Sequence, residues 1–142
     1  TVLLLLFKRS RRAGICSALA LIASLCVTNF FLKNYVARVR PYEVVDGLTS
    51  LLGPVGEWSF PSGHASSGFA AAVAIYKSRP RRVGIPCLIL AALLAWSRLY
   101  VGVHYPSDVI GGAVIGALLG LIVFWIFGEK EYKRKARRRR RR

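Results

Sequence analysis

The feature that most restricts this chain is an alternation of long apolar runs with clusters of lysine and arginine that favour one side. After an apolar stub at 2–7, apolar runs occupy roughly 13–32, 62–76, 83–100 and 107–127. A helix that crosses a bilayer needs about 20 mostly apolar residues. The first and fourth runs meet that length and the third lies near its lower limit. The second is short and rich in Ala, Ser and Gly, so it is expected to be wrapped by the other three rather than to face lipid. Lys8, Arg9, Arg11 and Arg12 precede the first run, Lys77, Arg79, Arg81 and Arg82 follow the second, and ten more basic residues follow the fourth. If each run crosses the membrane, 18 of the 22 basic residues fall on one side, and only Lys33, Arg38, Arg40 and Arg98 on the other. Cytoplasmic loops carry the excess of Lys and Arg, which places the 18 inside and the four outside.

Composition removes the alternatives. A chain with net charge +16 that is 54% hydrophobic is too apolar to be a disordered basic segment. It also has too few carboxylates for an ordinary soluble domain. The expected fold class is therefore all-α: an integral-membrane helical bundle of four spans plus a truncated N-terminal stub. The truncation is inferred because the chain opens on Thr1 and a few apolar residues, without a signal-peptide cleavage site. Residues 1–128 form the membrane-embedded domain, and 129–142 form a basic cytoplasmic tail of low complexity that is expected to be disordered. Cys16, Cys26 and Cys87 have neither metal-site nor disulfide spacing and read as small buried apolar side chains. Gly112, Gly116 and Gly120 repeat every four residues, a stripe that lets helix backbones approach closely. Its expected partner is the small-sided second run with Gly68, Ala71, Ala72 and Ala74. Trp58, Phe60, Trp96, Tyr100 and Tyr105 fall near the outer boundary and Trp125 and Phe127 near the inner one, as interfacial aromatic belts do.

The outer ends of the runs gather the polar chemistry. Lys33 closes the first run, with Arg40-Pro41 seven residues on. Pro61-Ser62-Gly63-His64 opens the second. Ser97-Arg98 ends the third and is followed by His104 and by Asp108 at the start of the fourth. Both histidines of the chain and three of its four outer basic residues thus share one membrane face. These residue types suit phosphate transfer. Lys33, Arg40 and Arg98 supply positive charge and fixed N–H donors. Ser62 and Gly63 lie at a helix N-terminus, where free backbone N–H groups favour an anion. His104 can attack phosphorus through a free ring nitrogen while Asp108 holds the other N–H, and His64 is available as general acid and base. Singly, each residue has a plainer reading: Lys33 an interfacial snorkel, Ser62 an N-cap, Pro106 and Asp108 first-turn residues. His104 and Asp108 could also be two metal ligands, but the polar groups around them are mostly cations, which would repel a metal ion.

Lys33-x6-Arg40-Pro41, Pro61-Ser62-Gly63-His64 and Ser97-Arg98-x5-His104-x3-Asp108 resemble, at all eleven specified positions and in order, the three signature motifs of the type-2 phosphatidic acid phosphatase superfamily. The resemblance implies a metal-independent phosphatase, without cofactor, that works through a phosphohistidine. It implies His104 as nucleophile, Asp108 as its orienting carboxylate and His64 as general acid and base, with Lys33, Arg40, Ser62, Gly63, Ser97 and Arg98 binding phosphate. Membrane members usually have six spans, so one or two N-terminal spans are expected to be missing. The short loop at 42–60 looks like that of the small bacterial members that act on undecaprenyl diphosphate or related lipid phosphates. It implies a multi-pass protein of a bacterial inner membrane, with its site facing outside, a lipid phosphate as substrate and membrane lipids as neighbours. The tail is expected to contact anionic lipid head groups, with no specific nucleic-acid partner. The sequence does not set the oligomeric state. Two other readings stand beside this one: a vanadium-dependent haloperoxidase, which shares the anion pocket but is soluble with long insertions, and a non-enzymatic membrane protein with a lipid-binding tail.

Overall fold

The computed structural model describes residues 1–8 and 10–128; the tail expected at 129–142 lies outside them. Every regular element among the described residues is helical. A short helix α1, Val2–Leu6, leads to α2, Arg11–Leu25, which continues through a π-helical stretch, Cys26–Leu32, into α3, Lys33–Val36. A loop carrying the single turn α4, Pro41–Val44, reaches α5, Gly63–Ser78. Then come α6, Arg81–Tyr100, and α7, Pro106–Val123, which runs on as π-helical Phe124–Gly128. Ordinary end signals place these boundaries. Ser62 caps α5 by accepting from the Ala65 N–H, and Pro106 opens α7 with Asp108 closing a capping box to the Tyr105 N–H.

Among the described residues, three helical stretches are long and apolar enough to cross a membrane: Arg11–Val44, Arg81–Tyr100 and Pro106–Gly128. With 16 residues, α5 is shorter, about 24 Å at an α-helical rise. Three helices rather than four therefore meet the length of a span by themselves. As expected of the small-sided run, α5 packs against α2, α6 and α7 together.

The packing inverts that of a soluble domain. The buried apolar residues are mostly small, including Ala20, Ala65, Ala70, Ala74, Ala91 and Ala95, while Ile89, Leu90, Leu93, Ile110 and Leu118 face outward. Lipid is as apolar as leucine, so close packing of small residues and hydrogen bonds, rather than escape from water, join such helices. Ser24 and Ser66 supply one such bond between α2 and α5, Oγ to Oγ at 2.6 Å. Trp96 and Tyr100 at one end and Trp125 and Phe127 at the other are exposed, as expected of boundary aromatics. Of the cysteines, Cys16 is buried but Cys26 is exposed, which corrects the reading of all three as core residues.

The glycine stripe meets α5 as expected, though along a different line of residues. A Cβ on Gly112 would lie 2.5 Å from the Ser62 carbonyl oxygen, one on Gly116 2.0 Å from that of Ser66, and one on Gly120 2.5 Å from that of Ala70. Gly68 instead faces Ala91 and Leu94 of α6. Both rows climb in steps of four in the same direction, so α5 and α7 run parallel. Ala65, Ala95 and Val109 form a small apolar cluster at the end where α5 and α7 begin. Cys16, Ala20, Ala70, Ala74 and Val123 form another towards the opposite end.

Candidate active site

Because α5 and α7 start at the end where α3 and α6 finish, the three motifs converge there. They surround a cavity of about 290 Å³ whose walls include Lys33, Arg40, Gly63, His64, Arg98 and His104. Leu25, Leu52 and Val55 make part of its lining apolar. Ser62, Ser97 and Asp108, the other sequence-predicted site residues, do not line it. Ser62 is fully buried at the cap of α5. Ser97 Oγ donates to the Leu94 carbonyl at 2.7 Å and accepts from Arg98 Nε and Nη2, each at 3.1 Å. It therefore steers the Arg98 guanidinium from behind.

The cations are held by backbone and by one acid. Arg40 is buried, with Nε donating to the Glu57 carbonyl at 2.7 Å and Nη1 to the Val103 carbonyl at 2.8 Å. Those bonds pin the fork against the wall. Lys33 is buried and its Nζ donates to a carboxylate oxygen of Glu57. That hydrogen bond and the lysine's charge hold the Glu57 carboxyl below its ordinary range, against a weaker opposing effect of burial. Space at Gly63 is tight: a Cβ there would sit 3.1 Å from Asn29 Oδ1, a buried acceptor without a partner that belongs to the same cavity wall.

His104 and Asp108 face each other across one turn. His104 Nδ1 lies 3.7 Å from Asp108 Oδ2, longer than a hydrogen bond, and is otherwise unpaired. With Nδ1 turned to the carboxylate, Nε2 is the ring nitrogen left for a ligand. Asp108 has no solvent exposure. Its Oδ2 accepts from Ser59 Oγ at 2.5 Å and from the Tyr105 N–H at 2.9 Å, and its Oδ1 accepts from Arg38 Nη1 at 2.7 Å. The Ser62 N–H donates to the Asp108 carbonyl at 3.0 Å, tying the start of α5 to the first turn of α7. No three His, Cys, Asp or Glu side chains among the described residues converge as a metal site would require.

Sequence reading missed Arg38, Ser59, Glu57 and Asn29. Arg38 lies inside the first motif's span but not at one of its specified positions. Ser59 and Glu57 sit just ahead of the second motif, and nothing in their spacing singles them out.

The profile described as PAP2 superfamily matches residues 13–132. An undecaprenyl-diphosphatase of Sulfolobus acidocaldarius is 35% identical over 122 residues, covering 86% of this chain and 59% of that protein. Undecaprenyl-diphosphatase BcrC of Bacillus subtilis is 32% identical over 116 residues, covering 82% and 58%. The chain thus spans little more than half the length of these relatives. Among solved structures, Aquifex aeolicus LpxE matches with a TM-score of 0.75 at 28% identity, over 87% of this chain and 72% of that one. The transmembrane PAP2-type phosphatidylglycerolphosphate phosphatase of Bacillus subtilis matches with a TM-score of 0.68 at 28% identity, over 87% and 62%. With three helices of spanning length, three motifs gathered at one end and a family profile that covers most of its length, this chain belongs to the PAP2 superfamily as a multi-pass membrane protein.

Proposed function

We propose that this protein is a metal-independent lipid phosphatase that acts through a phosphohistidine on His104. One observation carries the reading: a histidine backed by a fully buried carboxylate forms part of a cavity whose other walls are Lys33, Arg40, Arg98 and a second histidine, His64. Three cations around one small space favour a phosphoryl group, whose charge grows on its equatorial oxygens in the transition state. The substrate class is a lipid phosphate or diphosphate, with Leu25, Leu52 and Val55 available to the first methylenes of its tail. The names of the relatives, which include undecaprenyl-diphosphatases and a lipid A 4'-phosphatase of Bacteroides thetaiotaomicron, support that class.

In the first step Nε2 of neutral His104 attacks phosphorus. The N–P bond forms, the bond from phosphorus to the leaving oxygen breaks (the lipid ester oxygen of a monophosphate or the bridging oxygen of a diphosphate), and His64 gives that oxygen its proton. In the second step water attacks phosphorus, His64 takes the water's proton, the N–P bond breaks and phosphate leaves. Asp108 stabilises the positive imidazole of the intermediate. Lys33, Arg40 and Arg98 hold the phosphoryl oxygens, Gly63 offers its backbone N–H, Ser62 caps the helix that presents it, and Ser97 aims Arg98. The site faces outward, so the head group arrives from the outer leaflet of a bacterial inner membrane while the tail stays in the bilayer. The basic tail, on the cytoplasmic side, contacts anionic head groups.

The test measures phosphate release from polyprenyl and glycerolipid phosphates, together with acid-labile phosphoenzyme. Activity is expected to survive EDTA. His104→Ala should abolish both turnover and phosphoenzyme. His64→Ala should still form phosphoenzyme from p-nitrophenyl phosphate, whose leaving group needs little protonation, and then accumulate it. Loss of activity in EDTA that Mg²⁺ restores, or a phosphoenzyme in His104→Ala that His64→Ala lacks, would overturn the mechanism.

A further inference from the structure

We infer that Arg38 is a positioning residue: it keeps the Asp108 carboxylate ionised and aimed at His104 Nδ1, from outside the phosphate cavity. The inference rests on the reading of His104 as nucleophile. Arg38 is the one outer cation that the three motifs leave without a task, and it is absent from the cavity wall that Lys33, Arg40 and Arg98 share. Its side chain is spent elsewhere. Nη1 donates to Asp108 Oδ1 at 2.7 Å and to Ser107 Oγ at 2.7 Å. The guanidinium carbon stands 3.9 Å from the centroid of the Tyr105 ring, within cation–π range. The Arg38 carbonyl accepts from the Ser59 N–H at 2.8 Å, and Ser59 Oγ is a donor to the other Asp108 oxygen. Arg38 therefore grips the Tyr105–Asp108 turn at three points and holds the second donor through its own backbone.

The chain reaches this turn through Ala37, the described non-glycine residue in the left-handed region, with φ 46°. That conformation ends α3 and sends the backbone across the start of α7. A non-glycine residue there is strained, and the Arg38 contacts are among those that hold it.

The two carboxylate oxygens have separate tasks. Oδ2 faces His104 and takes the Ser59 and Tyr105 donors, whereas Oδ1 takes Arg38. A fully buried carboxylate would tend to take up a proton, and protonated Asp108 could not stabilise an imidazolium. A guanidinium on the far oxygen adds to the Ser59 and Tyr105 donors in favouring the anion, without competing for the near oxygen. At its Arg38 end the pair is 37% exposed, and at its Asp108 end not at all, so the charge is supplied from the solvent side of the site. Asp108 is faced by Arg38 and His104, and His104 shares the cavity wall with His64, Lys33, Arg40, Arg98 and Glu57.

The experiment compares Arg38→Gln and Arg38→Lys with the full chain, using p-nitrophenyl phosphate and inorganic phosphate as probes, and carries His104→Ala in parallel. Arg38→Gln should lower kcat on the order of 10²-fold, as misplacing a catalytic group does, with KM and inhibition by phosphate within about threefold. It should also move the acid limb of the kcat/KM profile to higher pH by about half a unit or more, because a positive charge near the His104–Asp108 pair is gone. Arg38→Lys keeps the charge and should restore the position of the limb while recovering only part of kcat. The chain has two histidines, so in a His64→Gln background the imidazole ¹⁵N spectrum reads His104 alone. Its Nδ1–H tautomer should weaken in Arg38→Gln and persist in Arg38→Lys, a readout available from any variant that folds. Altered KM and phosphate inhibition with kcat and the limb unmoved would make Arg38 a phosphate ligand and overturn the inference. So would an unchanged tautomer and limb in a folded Arg38→Gln. A phosphoenzyme surviving in His104→Ala would instead remove the nucleophile reading and this inference with it.

Discussion

Lys33 is a buried lysine whose ammonium is paired with Glu57, a carboxylate on the wall of a cavity otherwise rich in cations. An anion that enters the cavity must share Lys33 with it or displace it. Glu57 is 62% exposed, so the pair is screened and its net effect is that of a surface pair. Glu57→Gln should therefore tighten inhibition by inorganic phosphate or vanadate by about 3–10-fold, corresponding to roughly 1 kcal/mol. The pH dependence follows from the depressed carboxyl. Glu57 is ionised at neutral pH and above its ordinary value, and is neutralised only as pH falls through its lowered one. The gap between wild type and Glu57→Gln should be full at pH 7 and close in acid; equal inhibition constants at pH 7 would show that Glu57 does not compete. The nine candidate site residues were legible because they fall in three short motifs of residue types that suit phosphate binding. Glu57 was not: it is 24 residues from Lys33, and carboxylates argue against an anion site until a partner is seen. Ser59 and Arg38, 49 and 70 residues from Asp108, are ordinary residue types whose roles exist only through that contact.

At the scale of the element, the parallel α5–α7 pair carries the site, since it sets Ser62, Gly63 and His64 beside the turn that ends in Asp108. The pair is close because the stripe has no side chains. A Cβ at Gly116 would fall 2.0 Å from the Ser66 carbonyl oxygen, a backbone atom that cannot swing away. Gly116→Ala should therefore destabilise the bundle by about 1–3 kcal/mol, the usual range for overpacking, and reduce activity with it. Gly68→Ala is the control: its Cβ would meet Leu94 Cδ2 at 3.5 Å and Ala91 Cβ at 3.6 Å, ordinary contacts. It should change stability by no more than about 0.5 kcal/mol. Thermal unfolding in detergent separates the two, and equal midpoints would show that the stripe does not set the approach. The stripe itself was readable from its four-residue spacing. Which α5 residues it meets was not, because Ala, Ser and Gly occur all around that helix and small residues do not name a face.

At the scale of the molecule, α2 and α6 run towards the site and α5 and α7 away from it, so the site and the basic loops lie at opposite ends. The positive-inside rule predicts that the basic loops lie in the cytoplasm and the site outside. Single cysteines at Gly47 and at Arg81, in a background lacking Cys16, Cys26 and Cys87, should label from opposite sides. Gly47→Cys should react with an impermeant maleimide on intact cells, and Arg81→Cys only after permeabilisation. The reverse pattern would put the site in the cytoplasm and exclude a substrate drawn from the outer leaflet.

What the sequence determined by itself was the helical, membrane-crossing character of the chain, the ends of its runs to within a few residues, the sidedness of its charge and the three motifs. Each is a local property, summed along the chain: apolar length, flanking charge, caps and fixed spacings within one loop or turn. The tertiary structure decided what depends on rotation and distance. It showed that α5 is too short to span by length alone and sits inside the other helices, that the glycine stripe meets Ser62, Ser66 and Ala70, and that Asp108 is shared by Arg38, Ser59 and His104. A helix's rotation about its axis, and the path of the loop between Val36 and Gly63, are set by packing among several helices at once, and no stretch of the chain carries that information alone.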